Sequence, residues 1–311
     1  MLVDSLPSLT LLLSALVPDA VKQNGDQFND PSKPLGNWLR LGLDCVCLDE
    51  VVTSESLSLS SITSNANIYG QPGKQSYPGI ALAEKLLSSA GEEELNRKVH
   101  LGSYTQTIKI DDNGALHVEA LFDLNESVID LPRVGIELAV PSELKEMMFF
   151  ADGPGENYSD RSYSSHAGVY EGSISDSSTY VVPQEQANRM NMRWLVLAEP
   201  NGRGKLQVPK FSEDIKSTFR GAVSDRQGAM IASTSDEMPQ FTVSRHTDVS
   251  LFSTRHVNEL KHDQDRIFIR IDAAQRGLGS GSCGPQTLEQ YKVNGGKYSL
   301  CFCIKPFGYN S

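Results

Sequence analysis

The sequence predicts a mostly β protein, built as a sandwich or barrel of antiparallel strands. Three observations carry this. Short runs alternate apolar and polar residues at period two, Gly, Pro and Asp turns separate them, and helical periodicity is confined to two brief stretches. At 311 residues the chain can bury a large core, as one large domain or two smaller ones.

In chain order, the apolar run Leu9–Val17 has the length of a signal-peptide core. It lacks a basic flank, carries Asp4 instead, and is too short to span a membrane, so a cytoplasmic protein is expected. The stretch 54–79 is rich in Ser, Gly, Asn and Pro and is expected to be a long loop or disordered insertion. Residues 81–96 read as a helix. Residues 103–110 and 115–124 flank the turn "DDNG" (111–114) as a hairpin. Further strands are expected at 133–140, 179–183, 192–199 and 265–272, with a short helix at 255–261. In 297–307, Tyr298, Leu300, Phe302 and Ile304 fall on one face and Cys301 and Cys303 on the other.

A net charge of −11, without a Lys/Arg run or a basic aromatic stripe, disfavours a nucleic-acid partner that works through phosphate neutralisation. Five cysteines include the pairs Cys45/Cys47 and Cys301/Cys303, whose spacing suits neither a mutual disulfide nor a zinc site. Reduced, packed thiols are expected. Two sequons, at Asn125 and Asn157, matter only in a secreted chain.

Self-contained catalysis has no visible motif. There is no G-x-S-x-G elbow, P-loop, dinucleotide fingerprint or H-E-x-x-H, and the six histidines keep no metal-ligand spacing. A carboxylate pair about 5–5.5 Å apart would serve retaining glycoside chemistry, but the sequence does not say which acids meet. "GLGSGSCGP" (277–285) holds Cys283 without an assignable base. The turn Gly153-Pro154-Gly155 directly precedes Glu156, Tyr158, Asp160 and Arg161, a dense polar cluster.

Four segments in this order resemble one family. "LPRVGIELAVPSELKEMMFFADGPGENYSDR" (131–161) is similar to the C-terminal domain of family 2 β-galactosidases. There an L-P-R-x-G strand precedes a G-P-x-E-x-Y-x-D-R turn, matched here by Leu131, Pro132, Arg133, Gly135, Gly153, Pro154, Glu156, Tyr158, Asp160 and Arg161. Residues 179–194 resemble its Y-x-x-P-x-E-x-x-x-R segment through Tyr180, Pro183, Glu185 and Arg189. Residues 253–285 resemble its terminal portion, and "NWLRLGLDCVCLDEV" its W-x-x-x-G-L-D segment. Residues 1–35 show little likeness.

The resemblance implies a β-supersandwich of antiparallel sheets, related to galactose mutarotases, over 36–311, with a loop insertion at 54–79. It implies a small chain, or a C-terminal piece, that completes the active site for terminal β-D-galactosides of the lactose type. The family's catalytic glutamates sit on a separate (β/α)8 barrel of about 250 residues, so none is carried over and a catalytic large chain is the implied partner. No cofactor is implied for this chain; magnesium or sodium belongs to the family's catalytic domain. Sugar contact is expected from Ser282 and Cys283 and from Asp111 and Asn113 in the hairpin turn. Cys283 stands where some relatives have a stacking Trp. Gly153, Pro154, Glu156, Tyr158, Asp160, Arg161, Glu185 and Arg189 are expected to form the active-site wall, with Asp160 or Glu156 paired to Arg161 or Arg189. Two alternatives are a stand-alone carbohydrate-binding protein and a mutarotase-like epimerase. The epimerase would need a His beside a carboxylate, and His166 and His256 are its candidates.

Overall fold

Alternation explains the strands. Along β4 (Leu116–Leu124), Leu116, Val118, Ala120, Phe122 and Leu124 are buried and the residues between them are more open. This computed structural model describes residues 46–53, 61–70, 99–111, 114–174, 180–200, 227–247, 250, 251, 254, 256–280 and 287–308. The remaining strands are β1 (Val46–Thr53), β2 (Ser61–Gly70), β3 (Val99–Ile110), β5 (Arg133–Pro141), β6 (Glu146–Gly153) and β7 (His166–Ser173). They continue with β8 (Trp194–Ala198), β9 (Gly228–Ser233), β10 (Gln240–Ser244), β11 (Arg266–Gln275) and β12 (Lys297–Phe307).

The strands form a nine-stranded sheet, β1-β2-β3-β4-β12-β9-β8-β6-β7, and a three-stranded sheet, β10-β11-β5. Every pairing is antiparallel. One apolar core joins them, with Phe149, Leu195, Leu197 and Phe302 from the larger sheet and Ile136, Phe241, Ile267, Ile269 and Ile271 from the smaller. Two sheets closing on one core is the expected sandwich architecture.

A second cluster, Met148, Trp194, Val196, Met230 and Cys303, lies apart from that core. Strands β6, β8, β9 and β12 are therefore buried on both faces, which accounts for the unbroken apolar run of Trp194–Ala198. Leu300, Phe302 and Ile304 enter the main core and Cys303 the second cluster, as the alternation predicts; Cys301 and Cys303 are free thiols.

Three expectations need correction and a fourth falls outside the described residues. Ser61–Gly70, inside the presumed loop 54–79, is a full strand paired to β3 from Ser61↔Lys109 to Gly70↔Val99. Its Ser and Asn content masked the alternation of Ile62, Ser64, Ala66 and Ile68. Tyr180–Pro183 forms bends instead of a strand, and Val181 is largely exposed. The β-branched pair there has no sheet to join, because side chains anchor the segment instead. The helix at 255–261 shrinks to a single 3₁₀ turn, Val257–Glu259, with no side-chain cap at its start. The helix expected at 81–96 lies outside the described residues.

Candidate functional site

Strand β6 ends at Gly153, where the peptide to Pro154 is cis. A Cβ at Gly153 would lie 2.8 Å from the Tyr170 ring, so the chain passes closely beneath that side chain. Asn157 then stitches the turn together. Its amide donates to the carbonyls of Asp152 (2.9 Å) and Gly155 (3.2 Å), and its Oδ1 accepts the Met190 N–H at 2.9 Å. The Asn188 amide closes the stitch on the Asn157 carbonyl at 2.8 Å. Fully buried and fully bonded, Asn157 is closed to glycosylation in the folded chain, whereas Asn125 is exposed.

The tight turn that follows, with the Arg161 N–H on the Tyr158 carbonyl at 2.8 Å, sends four side chains to different partners. Glu156 accepts the Tyr180 hydroxyl and, at 2.7 Å, the Ala187 N–H. The wholly buried Tyr158 donates to Glu185 Oε1 at 3.3 Å, which also accepts Gln275 Nε2 at 3.0 Å. The other oxygen of Glu185 meets Arg133 Nη2 at 3.2 Å, and Arg133 Nε lies 3.7 Å from Asp272. Burial pushes the Tyr158 phenol well above its ordinary pKa, and the charges of Glu185 and Glu156 act the same way. Burial and the bond to Glu156 lift Tyr180 to about 12.

Asp160 and Arg161 reach the Gly-rich segment. The Asp160 carboxylate accepts the N–H of Leu278 at 3.1 Å and of Gly279 at 2.7 Å, while Arg161 Nη2 donates to the Gly279 carbonyl at 2.5 Å. A Cβ on Gly277 would sit 2.6 Å from Asp160 Cγ, so the carboxylate packs where only glycine leaves room. Gly279 has φ +64°, in the left-handed region, and its Cβ would meet Thr287 Oγ1 at 2.5 Å. From the other side, Arg276 donates to Gly277 O at 3.0 Å and to Thr287 Oγ1 at 2.7 Å, and its guanidinium grips Asp130 with Nε on Oδ1 at 2.5 Å.

Arg189 spans the two sheets. Its guanidinium lies 4.8 Å from the Phe149 ring centre of β6 and 6.0 Å from that of Phe241 in β10, and donates to Pro154 O at 3.3 Å. Burial lowers its pKa, while Glu156 and Tyr158 raise it. The expected pairing of Asp160 or Glu156 with Arg161 or Arg189 is not what forms. Among the described residues no ion pair joins them, because backbone N–H groups and a hydroxyl reach the carboxylates first.

The eight expected wall residues thus converge on one end of the sandwich. Sequence reading missed Asp130, Asn157, Asn188, Asp272, Gln275 and Arg276, which hold the segments around them; only Asn157, inside the motif turn, carried a local signal. Asp111 lies elsewhere, closing the β3–β4 turn by accepting the Ala115 N–H at 2.8 Å and facing His117 at 3.1 Å. Asn113, Ser282 and Cys283 lie outside the described residues. His166 and His256 are both exposed. Among the described residues no three His, Cys, Asp or Glu side chains cluster as a metal site. Glu156, Asp160 and Glu185 each accept hydrogen bonds from protein donors, which tie together the loops that they join.

The family described as beta galactosidase small chain matches residues 13–304. The chain belongs to that family. Among its curated relatives, a β-galactosidase of Arthrobacter sp. (strain B7) is 30% identical over 163 residues, 52% of this chain and 14% of that protein. One from Lactobacillus delbrueckii subsp. bulgaricus is 35% identical over 101 residues, 32% of this chain and 10% of that protein. One from Kluyveromyces lactis is 24% identical over 279 residues, 88% and 22% of the two chains. This small-chain sequence therefore spans about a tenth to a fifth of the β-galactosidases it matches. A solved structure, the GalM/aldose epimerase homologue from C. elegans, is similar with a TM-score of 0.30 and 10% identity, over 84% of this chain and 69% of that one. At that distance the architecture is read from the strands themselves.

Proposed function

We propose that this chain is the non-catalytic small-chain part of a β-galactosidase, which completes a galactoside site together with a separate catalytic chain. The observation that carries the reading is the convergence of the three motif segments. Glu156 binds 180 and 187, and Asp160 binds 278 and 279, so one end of the sandwich presents a built, polar loop wall. Pro154, Gly155, Arg161 and the fully exposed Tyr163 form the outer rim of that wall, available to a partner. The commitment of the wall's carboxylates to protein donors supports a supporting role over a catalytic one. The short span relative to whole β-galactosidases supports a requirement for more chain.

The test is hydrolysis of a chromogenic β-galactoside by the purified chain alone, and by the chain mixed with an Arthrobacter sp. β-galactosidase lacking the matching segment. Turnover only in the mixture is the expected result. Turnover by the chain alone, or a folded chain that never restores the truncated enzyme, overturns the proposal.

A further inference from the structure

We infer that Asp160 and Arg161 are positioning residues that hold the Gly277–Gly279 turn in one conformation, and through it tune galactoside binding in the assembled enzyme. The galactoside part rests on the function proposed above; the clamp itself rests on geometry alone. Two adjacent residues of one motif grip two consecutive residues of another, 118 and 119 positions further on. The carboxylate takes both available N–H groups, and the guanidinium takes the Gly279 carbonyl. Such charge-assisted bonds are the strong kind, and opposed donors and acceptors define position and orientation together.

The turn is held from the opposite side as well, by Arg276 and Thr287 on the Gly277 carbonyl at 3.0 and 3.1 Å. Both glycines are sterically required: Gly277 by the Asp160 carboxyl, Gly279 by Thr287 and its left-handed φ. Arg276 and Thr287 are buried and Arg161 is exposed, so the two grips differ in kind. The buried grip belongs to the fold. The Asp160–Arg161 grip sits at the rim of the wall, where removing it loosens the turn without dismantling the core.

The variants are Asp160→Asn, which keeps the shape but halves the acceptor capacity and removes the charge, and Arg161→Lys, which keeps a donor without the fork. Amide hydrogen exchange on the purified full chain reads the clamp directly. Exchange at Leu278 and Gly279 should rise on the order of tenfold in Asp160→Asn, the size expected for losing a charge-assisted bond. The thermal midpoint should stay near wild type. In the mixture with truncated Arthrobacter sp. β-galactosidase, Asp160→Asn should raise KM several-fold with kcat less affected, and Arg161→Lys, which keeps one donor, should raise it less.

Unchanged exchange at both amides overturns the clamp. A parallel fall in thermal midpoint, or loss of kcat alone in proportion to folded chain, makes the residues merely structural and overturns the positioning role. If wild type itself fails to restore activity, the proposed function fails and the galactoside role with it, while exchange still decides the clamp.

Discussion

Arg133 and Glu185 form an ion pair of 3.2 Å between strand β5 and the 179–194 motif segment, with side chains only 12% and 4% exposed. Glu185 is also the acceptor for Tyr158 and Gln275, so one carboxylate ties the motif turn, the small sheet and the 180–189 segment together. Breaking one partner of a buried pair leaves the other desolvated and uncompensated. Glu185→Ala is expected to cost about 3–5 kcal/mol of stability, by that reasoning. Glu185→Gln, which still accepts from Tyr158, should cost less. Urea unfolding midpoints of the two variants check this; equal losses would mean that the charge carries the whole effect, and an unaltered midpoint in Glu185→Gln that it carries none.

Gly135 faces the same network from β5. A Cβ there would lie 2.1 Å from Asp272 Oδ1, 2.4 Å from the Ile271 carbonyl and 2.7 Å from Asp272 Cα. Two of those contacts are backbone atoms of the paired strand, which cannot step aside. Gly135→Ala should lose about 3 kcal/mol through strand displacement. Calorimetry should show a lowered midpoint, and an unaltered one would show that β11 can move.

Alkaline pH should weaken the fold through Tyr158. Its folded pKa is raised, so the native state holds the phenolic proton more tightly than the unfolded chain, whose tyrosines titrate near 10. The stabilisation is therefore fully present below about pH 10 and is lost as pH rises through the folded value. Tyr180, lifted to about 12 and partly open to solvent, contributes in the same direction from about pH 10 to 12, and less. Denaturation midpoints from pH 8 to 12 should be flat and then fall. Tyr158→Phe should remove one part of that slope, with Tyr104 and Cys303, raised by burial in the same way, supplying much of the rest, while leaving Glu185 one donor short.

Arg189 stacks on Phe149 and donates to both Pro154 O and Ala187 O, at 3.3 and 3.1 Å. A lysine can reach one carbonyl at a time and loses the planar stack. Arg189→Lys should cost about 1–2 kcal/mol, from the stacking and the lost bond. Thermal melts of the variant beside Arg189→Met separate charge from packing, since Met keeps much of the apolar stem.

Most strands that sequence reading found have one buried and one open face, such as β4, or a long run, such as β11 and β12; β8, short and buried on both faces, was found by its apolar run. Ser61–Gly70 escaped because polar residues on a strand say little until a neighbour is known. The short β9 and β10 carry no period of their own over five or six residues. Tyr180–Pro183 failed the other way: β propensity reports fit to a half-buried pleat, and Val181 is mostly in solvent.

By itself the sequence determined the class, because period-two alternation and turn residues act over a few neighbouring positions. It also marked the motif turn and the Gly-rich segment as special. What it left open is which groups meet. Asp160 selects the N–H groups of Leu278 and Gly279 over Arg189, and Glu185 selects Arg133, across 118, 119 and 52 positions of chain. Those choices depend on how two sheets close on one core and which polar groups are then deprived of water. Only the tertiary structure decides that, because desolvation is a property of the packed molecule and not of any local run of residues.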